Sequence, residues 1–152
     1  MTGKIVWTLK VACAIALVAS AFLSITYSAV PRWGVWVVDE HDQPVEGITV
    51  RLVYQNHSVE SKSHEQDLTT DSRGFVEFSA QVRSASVLSY AIYSLYAARA
   101  GIHASFGRHA SVFAFGGGRE GSAAVNDVVV DWTGSSDRME SRIVARRRVT
   151  VQ

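Results

Sequence analysis

Residues 48–54 read Ile-Thr-Val-Arg-Leu-Val-Tyr and carry the clearest structural signal in this 152-residue chain. Because successive side chains of a strand point to opposite faces, positions 48, 50, 52 and 54 share one apolar face and predict a half-buried strand. Several short strands separated by turn residues predict a mainly β domain packed as an antiparallel sandwich. The other strand-like runs are residues 34–38, 103–106, 111–115, 126–132 and 143–151.

Residues 68–78, Leu-Thr-Thr-Asp-Ser-Arg-Gly-Phe-Val-Glu-Phe, contain a turn between two further strands. Asp71 can accept hydrogen bonds from the backbone that follows it, and Gly74 can adopt a positive φ. We interpret the segment as a β-hairpin closed by residues 71–74. A glycine-rich stretch, residues 116–122, predicts a second hairpin turn, since it lacks the Gly-Lys-Ser/Thr ending of a phosphate-binding loop.

Residues 37–50, Val-Val-Asp-Glu-His-Asp-Gln-Pro-Val-Glu-Gly-Ile-Thr-Val, together with residues 69–78 resemble the carboxypeptidase regulatory-like domains of the prealbumin-like (transthyretin-like) superfamily. The shared pattern is a strand, an Asp-rich turn, Pro-Val-x-Gly, a second strand, and Thr-Asp-x-x-Gly before an aromatic strand. Asp42 stands where the family usually has Gly, and Asp tolerates the same turn. The resemblance spans residues 34–80 and implies an antiparallel Greek-key β-sandwich without catalytic residues.

Residues 84–98 interrupt the strand pattern with a helical one. Apolar residues recur at i, i+1, i+4, i+5 and i+8, which predicts one inserted helix over about 84–99, with Ser84 as its N-cap and Gly101 as its stop. We expect this stripe to pack on the sandwich. Its members are Val87, Leu88, Ala91, Ile92 and Leu95.

Three tyrosines lie off that apolar stripe, on a helix that carries no charge from residue 84 to 98. A surface helix normally carries charged residues on its outer face, so an uncharged face with tyrosines is typical of a protein contact. The predicted partner-contact residues are Tyr90, Tyr93 and Tyr96.

Residues 11–30 are twenty consecutive uncharged residues preceded by Lys4 and Lys10. As a helix they would be ~30 Å long, the thickness of a bilayer core, and they predict a single membrane-spanning helix over residues 11–30. The two lysines place residues 1–10 in the cytoplasm and the domain of residues 31–152 on the periplasmic or extracellular side. The predicted interfacial anchors are Trp7, Tyr27 and Trp33.

A cleaved signal peptide is the alternative interpretation of the same segment. Residues 19–21, Ala-Ser-Ala, satisfy the small-x-small rule, but cleavage there leaves only residues 11–18 as a short apolar core. Cleavage after Ala29 would place the bulky Tyr27 at the −3 position. Either route delivers the domain to the same side of the membrane.

Charge is unevenly distributed along the chain. Residues 39–77 contain nine acids and three basic residues, whereas residues 78–152 contain nine arginines and five acids. Packing of the acidic half against the basic half is one interpretation, and a polarised surface that orients a partner is the other. A net charge of +1 disfavours nucleic acid as the partner.

The C-terminal arginines Arg146, Arg147 and Arg148 favour either a charge-guarded edge strand or contact with anionic lipid or an acidic partner.

The sequence predicts neither catalytic residues nor a cofactor or metal site. His57, His64, Glu65 and Asp67 match no standard ligand spacing, and His41, His103 and His109 are scattered. The sole cysteine, Cys13, excludes a disulfide within the domain.

Two functional hypotheses follow. The first is a non-catalytic, membrane-anchored β-sandwich protein making protein contacts outside the cytoplasm, as an accessory subunit of a larger membrane complex. The second is a secreted or anchored module that binds a small ligand or carbohydrate. That module would need exposed aromatic side chains, and the candidates are Trp36, Tyr54 and Trp132.

Overall fold

The computed structural model describes residues 2–99, 101, 105–125, 128–129 and 131–148. The chain is mainly β, as predicted. The helices and strands, in chain order, are α1 (Thr2–Ala21), β1 (Ser24–Val30), β2 (Arg32–Val38), β3 (Thr49–Asn56), β4 (His64–Thr69), β5 (Phe75–Phe78), β6 (Gln81–Ser86), α2 (Val87–Arg99), β7 (Arg108–Gly116), β8 (Arg119–Ser122), β9 (Ala124–Val125), β10 (Val128–Val129), β11 (Arg138–Val144) and β12 (Arg146–Arg147).

Two sheets contribute to one apolar core. A three-stranded sheet has the order β11-β2-β5, and a five-stranded sheet has the order β12-β8-β7-β3-β4. The predicted inward face of β3 is confirmed, because Ile48, Val50 and Leu52 are buried and Tyr54 packs against the same cluster. The largest fully buried side chains of this core are Trp33, Trp132, Phe78, Leu52 and Ile143.

The turn at residues 71–74 forms as predicted, but the hairpin does not. Asp71 Oδ1 accepts hydrogen bonds from the backbone N–H groups of Arg73 and Phe75, both at 2.9 Å, and Gly74 has φ 71°. However, β4 pairs with β3 while β5 pairs with β2, so the turn carries the chain from one sheet to the other. Local turn chemistry does not reveal which strand each arm of the turn will pair with.

The strand pairing is not entirely antiparallel, which corrects the prediction. β11 runs parallel to β2, with Arg138 opposite Arg32 and Val144 opposite Val38. The remaining pairs in the two large sheets are antiparallel. The glycine-rich stretch does close a hairpin as predicted, but the turn is shorter than residues 116–122. Gly117 and Gly118, which both have positive φ, connect β7 to β8, and residues 119–122 are the strand β8 itself.

The prediction of one helix over residues 11–30 is wrong in its bounds. The helix α1 covers residues 2–21, and residues 24–30 form β1, which pairs antiparallel with β6. The physical reason is backbone pairing with a strand more than fifty residues away, which an apolar composition does not disclose. Within the described part of the chain, neither helix combines the length and the hydropathy that crossing a membrane requires.

The inserted helix exists but begins later than predicted. Residues 84–86 belong to β6, and α2 starts at Val87. Ser86, not Ser84, is the cap: its Oγ accepts a hydrogen bond from the backbone N–H of Ser89 at 3.1 Å. Pairing with β1 keeps Ser84 extended, so the next available serine caps the helix.

Parts of three predicted strands and one candidate residue lie outside the described residues. His103 falls in the gap at 102–104, the run at 126–132 is described only at residues 128, 129, 131 and 132, and the last predicted run is described to residue 148. Where they are described, the runs at 34–38 and 111–115 lie in β2 and β7, as predicted.

We expect the Leu52→Ala variant to lose about 2–5 kcal/mol of unfolding free energy, because Leu52 is fully buried between the sheets. Val53→Ala is the matched control, since Val53 is the next residue on the opposite face and is only half-buried; it should cost less than about 1 kcal/mol. Denaturant unfolding followed by tryptophan fluorescence measures both. Equal losses would contradict the assignment of faces.

Candidate functional site

An apolar projection extends from the β domain. We call it the arm, and it consists of α1, β1, β6 and α2. Among the residues whose burial is described, every exposed large apolar side chain lies in the arm or in the Phe22–Leu23 link between α1 and β1, except Trp36 and Phe106. Soluble domains rarely leave a contiguous apolar surface uncovered, so a surface of this kind marks a contact with protein or lipid.

The first helix of the arm is exposed on all sides. Ile15, Leu17 and Val18 point in different directions around the helix axis, and all three are more than half exposed. Ile5, Trp7 and Leu9 repeat the pattern one to three turns earlier. A helix that is apolar all round is normally surrounded by other apolar groups.

The face of the second helix, α2, that points toward solvent is the apolar one, which was predicted to pack on the sandwich. No residue of α2 is buried, so the apolar stripe does not pack on the sandwich. That stripe faces outward, with Leu95 68% exposed and Ile92 43% exposed. Tyr90 and Tyr93 lie on the half-covered side, whereas Tyr96 is 67% exposed. The cause is that α2 projects beyond the β domain, where it contacts α1 and β6.

Both helices leave the same end of the β1–β6 ribbon. Ser24 and Ser86 are directly opposite in that ribbon, and the backbone N–H of Val87 donates to the carbonyl oxygen of Leu23 at 3.0 Å. The last residues of α1 therefore lie beside the first residues of α2. The two helices are fixed as neighbours at the tip of the arm.

Acidic residues are absent from both segments of sequence that build the arm. No Asp or Glu occurs before Asp39, and none occurs between Glu77 and Glu120. The basic residues of the arm are Lys4, Lys10, Arg83 and Arg99. The arm is thus both apolar and positively charged.

Glu60, in the loop between β3 and β4, joins the arm to the β domain. Its Oε1 accepts a hydrogen bond from the Tyr27 hydroxyl of β1 at 2.9 Å and lies 3.1 Å from Arg83 Nε of β6. Its Oε2 accepts a hydrogen bond from the backbone N–H of Asn56 at 3.0 Å. One largely covered carboxylate therefore binds both strands of the ribbon, and charge-assisted bonds of this kind are the stronger ones.

This environment raises the pKa of Tyr27 to about 12. Burial is the largest cause, and the hydrogen bond to the Glu60 carboxylate adds to it because ionisation would place two negative charges side by side. Arg83 opposes the shift. Tyr27 is therefore a neutral donor to Glu60 over the whole physiological pH range.

Arg108, at the start of β7, makes a second link between the arm and the domain. Its Nη1 donates to the carbonyl oxygen of Ser28 in β1 at 3.1 Å, and its Nη2 donates to that of Gly134 at 3.2 Å. The guanidinium lies 5.4 Å from the centroid of the Trp132 ring. Sequence reasoning missed both Glu60 and Arg108, because their partners in the arm lie 33 and 80 residues away.

The three predicted interfacial anchors have three different positions. Trp7 is exposed on α1. Tyr27 is half-buried against Glu60. Trp33 is fully buried in the core, with its Nε1 donating to Ser141 Oγ at 3.0 Å, so its ring is a core residue and not an interfacial one. An aromatic residue next to an apolar run can pack inward once the run ends and a strand begins.

The C-terminal arginines lie at the edge of the five-stranded sheet. Arg146 and Arg147 form β12, and both are exposed without an ion pair to any described residue. Arg148 Nε lies 2.5 Å from Glu120 Oε2. Other arginines of the basic half pair with the acidic half, as one of the two charge interpretations predicts. These pairs are Arg83 with Glu60 at 3.1 Å, Arg119 with Asp39 at 3.7 Å, Arg119 with Glu40 at 3.4 Å, and Arg142 with Asp42 at 2.5 Å.

The histidine-bearing segment does not assemble a metal site within the described residues. Glu65 and Asp67 lie in β4, where each binds Arg51 at 2.8 Å. His57 lies beside His109, with ring centroids 5.2 Å apart, and burial together with that neighbour lowers the pKa of His57. The two rings contribute to an open cleft of about 250 Å³.

The aromatic residues required by the ligand-binding hypothesis are dispersed. Trp132 is buried, and Tyr54 packs against the core and stacks on His64 with 5.2 Å between ring centroids. Trp36 remains 42% exposed on the outer face of the three-stranded sheet, 4.5 Å from the centroid of the Phe75 ring. Of the three candidate residues, Trp36 is the exposed one, and the ring it offers to such a ligand lies beside Phe75.

No protein-family profile matches the chain, and no curated protein shows significant sequence similarity to it.

The Glu60→Gln variant should lower the pKa of Tyr27 from about 12 toward its ordinary 10, because glutamine still accepts the hydrogen bond but carries no charge. The shift should be partial, since burial remains. Between pH 10 and about 12, Tyr27 of the wild type is protonated in the folded protein but ionised in the unfolded chain. Its contribution to the free energy of unfolding is therefore complete below pH 10 and is lost as the pH rises through about 12.

A titration of tyrosinate absorbance, corrected with the Tyr27→Phe variant, measures this change. Glu65→Gln is the control, since Glu65 pairs with Arg51 and not with Tyr27. An unchanged Tyr27 titration in Glu60→Gln would contradict the role assigned to this carboxylate.

Proposed function

We propose that this chain is a non-catalytic, membrane-anchored β-sandwich protein that acts outside the cytoplasm as an accessory subunit of a larger membrane complex. The observation that carries the proposal is the concentration of exposed apolar side chains in the arm. The β domain has a closed core, while the arm has an uncovered apolar surface of both helices.

An apolar environment would stabilise α1. Burying one large aliphatic side chain is worth about 1.5–3 kcal/mol, and α1 exposes several of them to its surroundings. Lipid acyl chains can cover a helix from all sides at once, which matches the distribution of apolar residues around α1. Lys4 and Lys10 favour a cytoplasmic position for the N-terminus and an extracytoplasmic position for the β domain.

The resemblance of residues 34–80 to carboxypeptidase regulatory-like domains supports the remaining parts of the proposal. It favours a Greek-key order of the strands and a domain that serves as a non-catalytic appendage. The positive φ of Asp42, 62°, agrees with a turn position that such domains usually give to glycine.

The β12 edge is the proposed protein-contact surface of the domain. Arg146 and Arg147 are exposed there, and Arg146 lines an open groove of about 380 Å³ with Glu120 and Arg142. Since Glu120 and Arg142 already have ionic partners, Arg146 and Arg147 are the charges available to an acidic segment of a partner. Charged edge strands also resist pairing with another sheet, so the contact would be made by side chains.

Membrane attachment is tested on the full chain in native membranes. We expect the protein to sediment with membranes through a high-salt wash and to be released by mild detergent, because apolar contact is insensitive to ionic strength. The intact mass should retain residues 2–21. Release by salt alone, or a mature chain beginning near Phe22, would overturn the anchor.

The accessory-subunit role is tested by affinity isolation of the detergent-extracted protein. We expect a stoichiometric partner with the wild type and loss of most of it in the Arg146→Glu/Arg147→Glu double variant, because charge reversal repels an acidic surface. Arg138→Glu is the matched control: Arg138 is also exposed but lies in the three-stranded sheet and pairs with Glu140. Migration of the wild type as a lone monomer would contradict this role.

The second candidate, a ligand- or carbohydrate-binding module, is favoured by one observation, the exposed Trp36–Phe75 pair. Stacking of a sugar ring on Trp36 would change its fluorescence, and Trp36→Ala would abolish the change without unfolding the core. A screen of oligosaccharides that leaves wild-type fluorescence unaltered would argue against this function.

A further inference from the structure

We infer that α2 is a second lipid-binding element, whose outward stripe enters the surface of a bilayer containing anionic phospholipids. The inference rests on the proposed function, since it assumes that α1 lies in lipid. It changes the role of α2 from a protein-contact helix to a membrane-contact helix.

The position of α2 relative to α1 is the first argument. The hydrogen bond from Val87 N–H to the Leu23 carbonyl oxygen places the start of α2 within two residues of the end of α1. If α1 is surrounded by lipid, the first turn of α2 is therefore at the lipid surface. The paired β1–β6 backbone prevents the two helices from separating.

The chemistry of the two faces of α2 is the second argument. Its half-covered side carries Ser89, Tyr90, Tyr93 and Ser94, which contain polar groups. Its outward side is mostly aliphatic. Tyr96 is the one residue of α2 that carries a hydroxyl group and is more than a third exposed. This outward set comprises Val87, Leu88, Ile92, Leu95 and Tyr96. An interfacial helix places such a stripe among acyl chains, with a tyrosine at the headgroup level.

The charge of α2 and its neighbours is the third argument. Arg99, in the last turn, forms a shallow groove of about 310 Å³ with Ile92, Leu95 and Tyr96, and it has no ion pair with any described residue. Lys10 is likewise exposed on α1, and the arm contains no acid. A cation beside an apolar groove fits a phospholipid, because the cation can bind the phosphate while the groove contacts the acyl chain.

Fluorescence on reconstituted vesicles tests the inference. In a Cys13→Ser background, the full chain carries Leu95→Cys and an environment-sensitive fluorophore at that position. We expect a blue-shifted emission and strong quenching by brominated acyl chains in vesicles of phosphatidylcholine and phosphatidylglycerol without other protein. Ser79→Cys is the control, since Ser79 is exposed at the opposite end of the ribbon and should stay in water.

Two further variants separate the possible failures. Ile15→Cys reports on α1: quenching at position 15 without quenching at position 95 overturns the inference and leaves the proposed anchor intact. Absence of the wild type from floated vesicles overturns the anchor itself. Shielding at position 95 only when a copurified protein is present would also overturn the inference, in favour of a protein contact.

The phosphate contact is tested with Arg99→Gln. We expect about fivefold weaker association with vesicles containing phosphatidylglycerol, the effect of one cation near an anionic surface, and little change with phosphatidylcholine alone. Arg138→Gln, on the β domain, is the matched control and should leave both affinities unchanged. An equal loss on both vesicle types would overturn the role of Arg99.

Discussion

The pairing of β1 with β6 is the interaction that fixes where the two apolar helices lie relative to the β core. It joins residues 24–30 to residues 81–86 in an antiparallel ribbon, and each strand leads directly from or into a helix. Without the ribbon, α1 would be a leader connected to the domain by a flexible link, and α2 would be an insertion between β6 and β7. With it, two apolar helices become one structure with a defined position relative to the β core.

The ribbon is itself held by a small number of polar contacts at its base. Glu60 binds one side chain from each strand, and Arg108 binds the backbone of β1. Both residues reach from the β domain into the arm, so the direction in which the arm projects depends on them. If the arm were bound to lipid, these contacts would hold the β domain, and with it the β12 edge, in a fixed orientation relative to the membrane.

Predictions from sequence succeeded where the signal was local. The alternating face of β3, the turn at residues 71–74, the glycine hairpin between β7 and β8, and the existence of a helix near residue 90 all depend on side chains within a few residues of one another. They failed where a distant partner decided the outcome. Residues 24–30 continue an apolar run that suits a helix, yet pairing with β6 makes them a strand, and the same pairing moves the start of α2 from Ser84 to Val87.

Composition and periodicity reflect burial directly, so they were enough to predict the mainly β class, the half-buried strand at residues 48–54 and the concentration of apolar residues at the N-terminus. The folded chain alone reveals that β11 lies parallel to β2, that Trp33 packs inside, and that the aliphatic stripe of α2 faces outward. Each of these depends on which segments meet in space. A helical stripe identifies an apolar face, but whether the domain, a partner or lipid covers that face is decided by where the helix is attached.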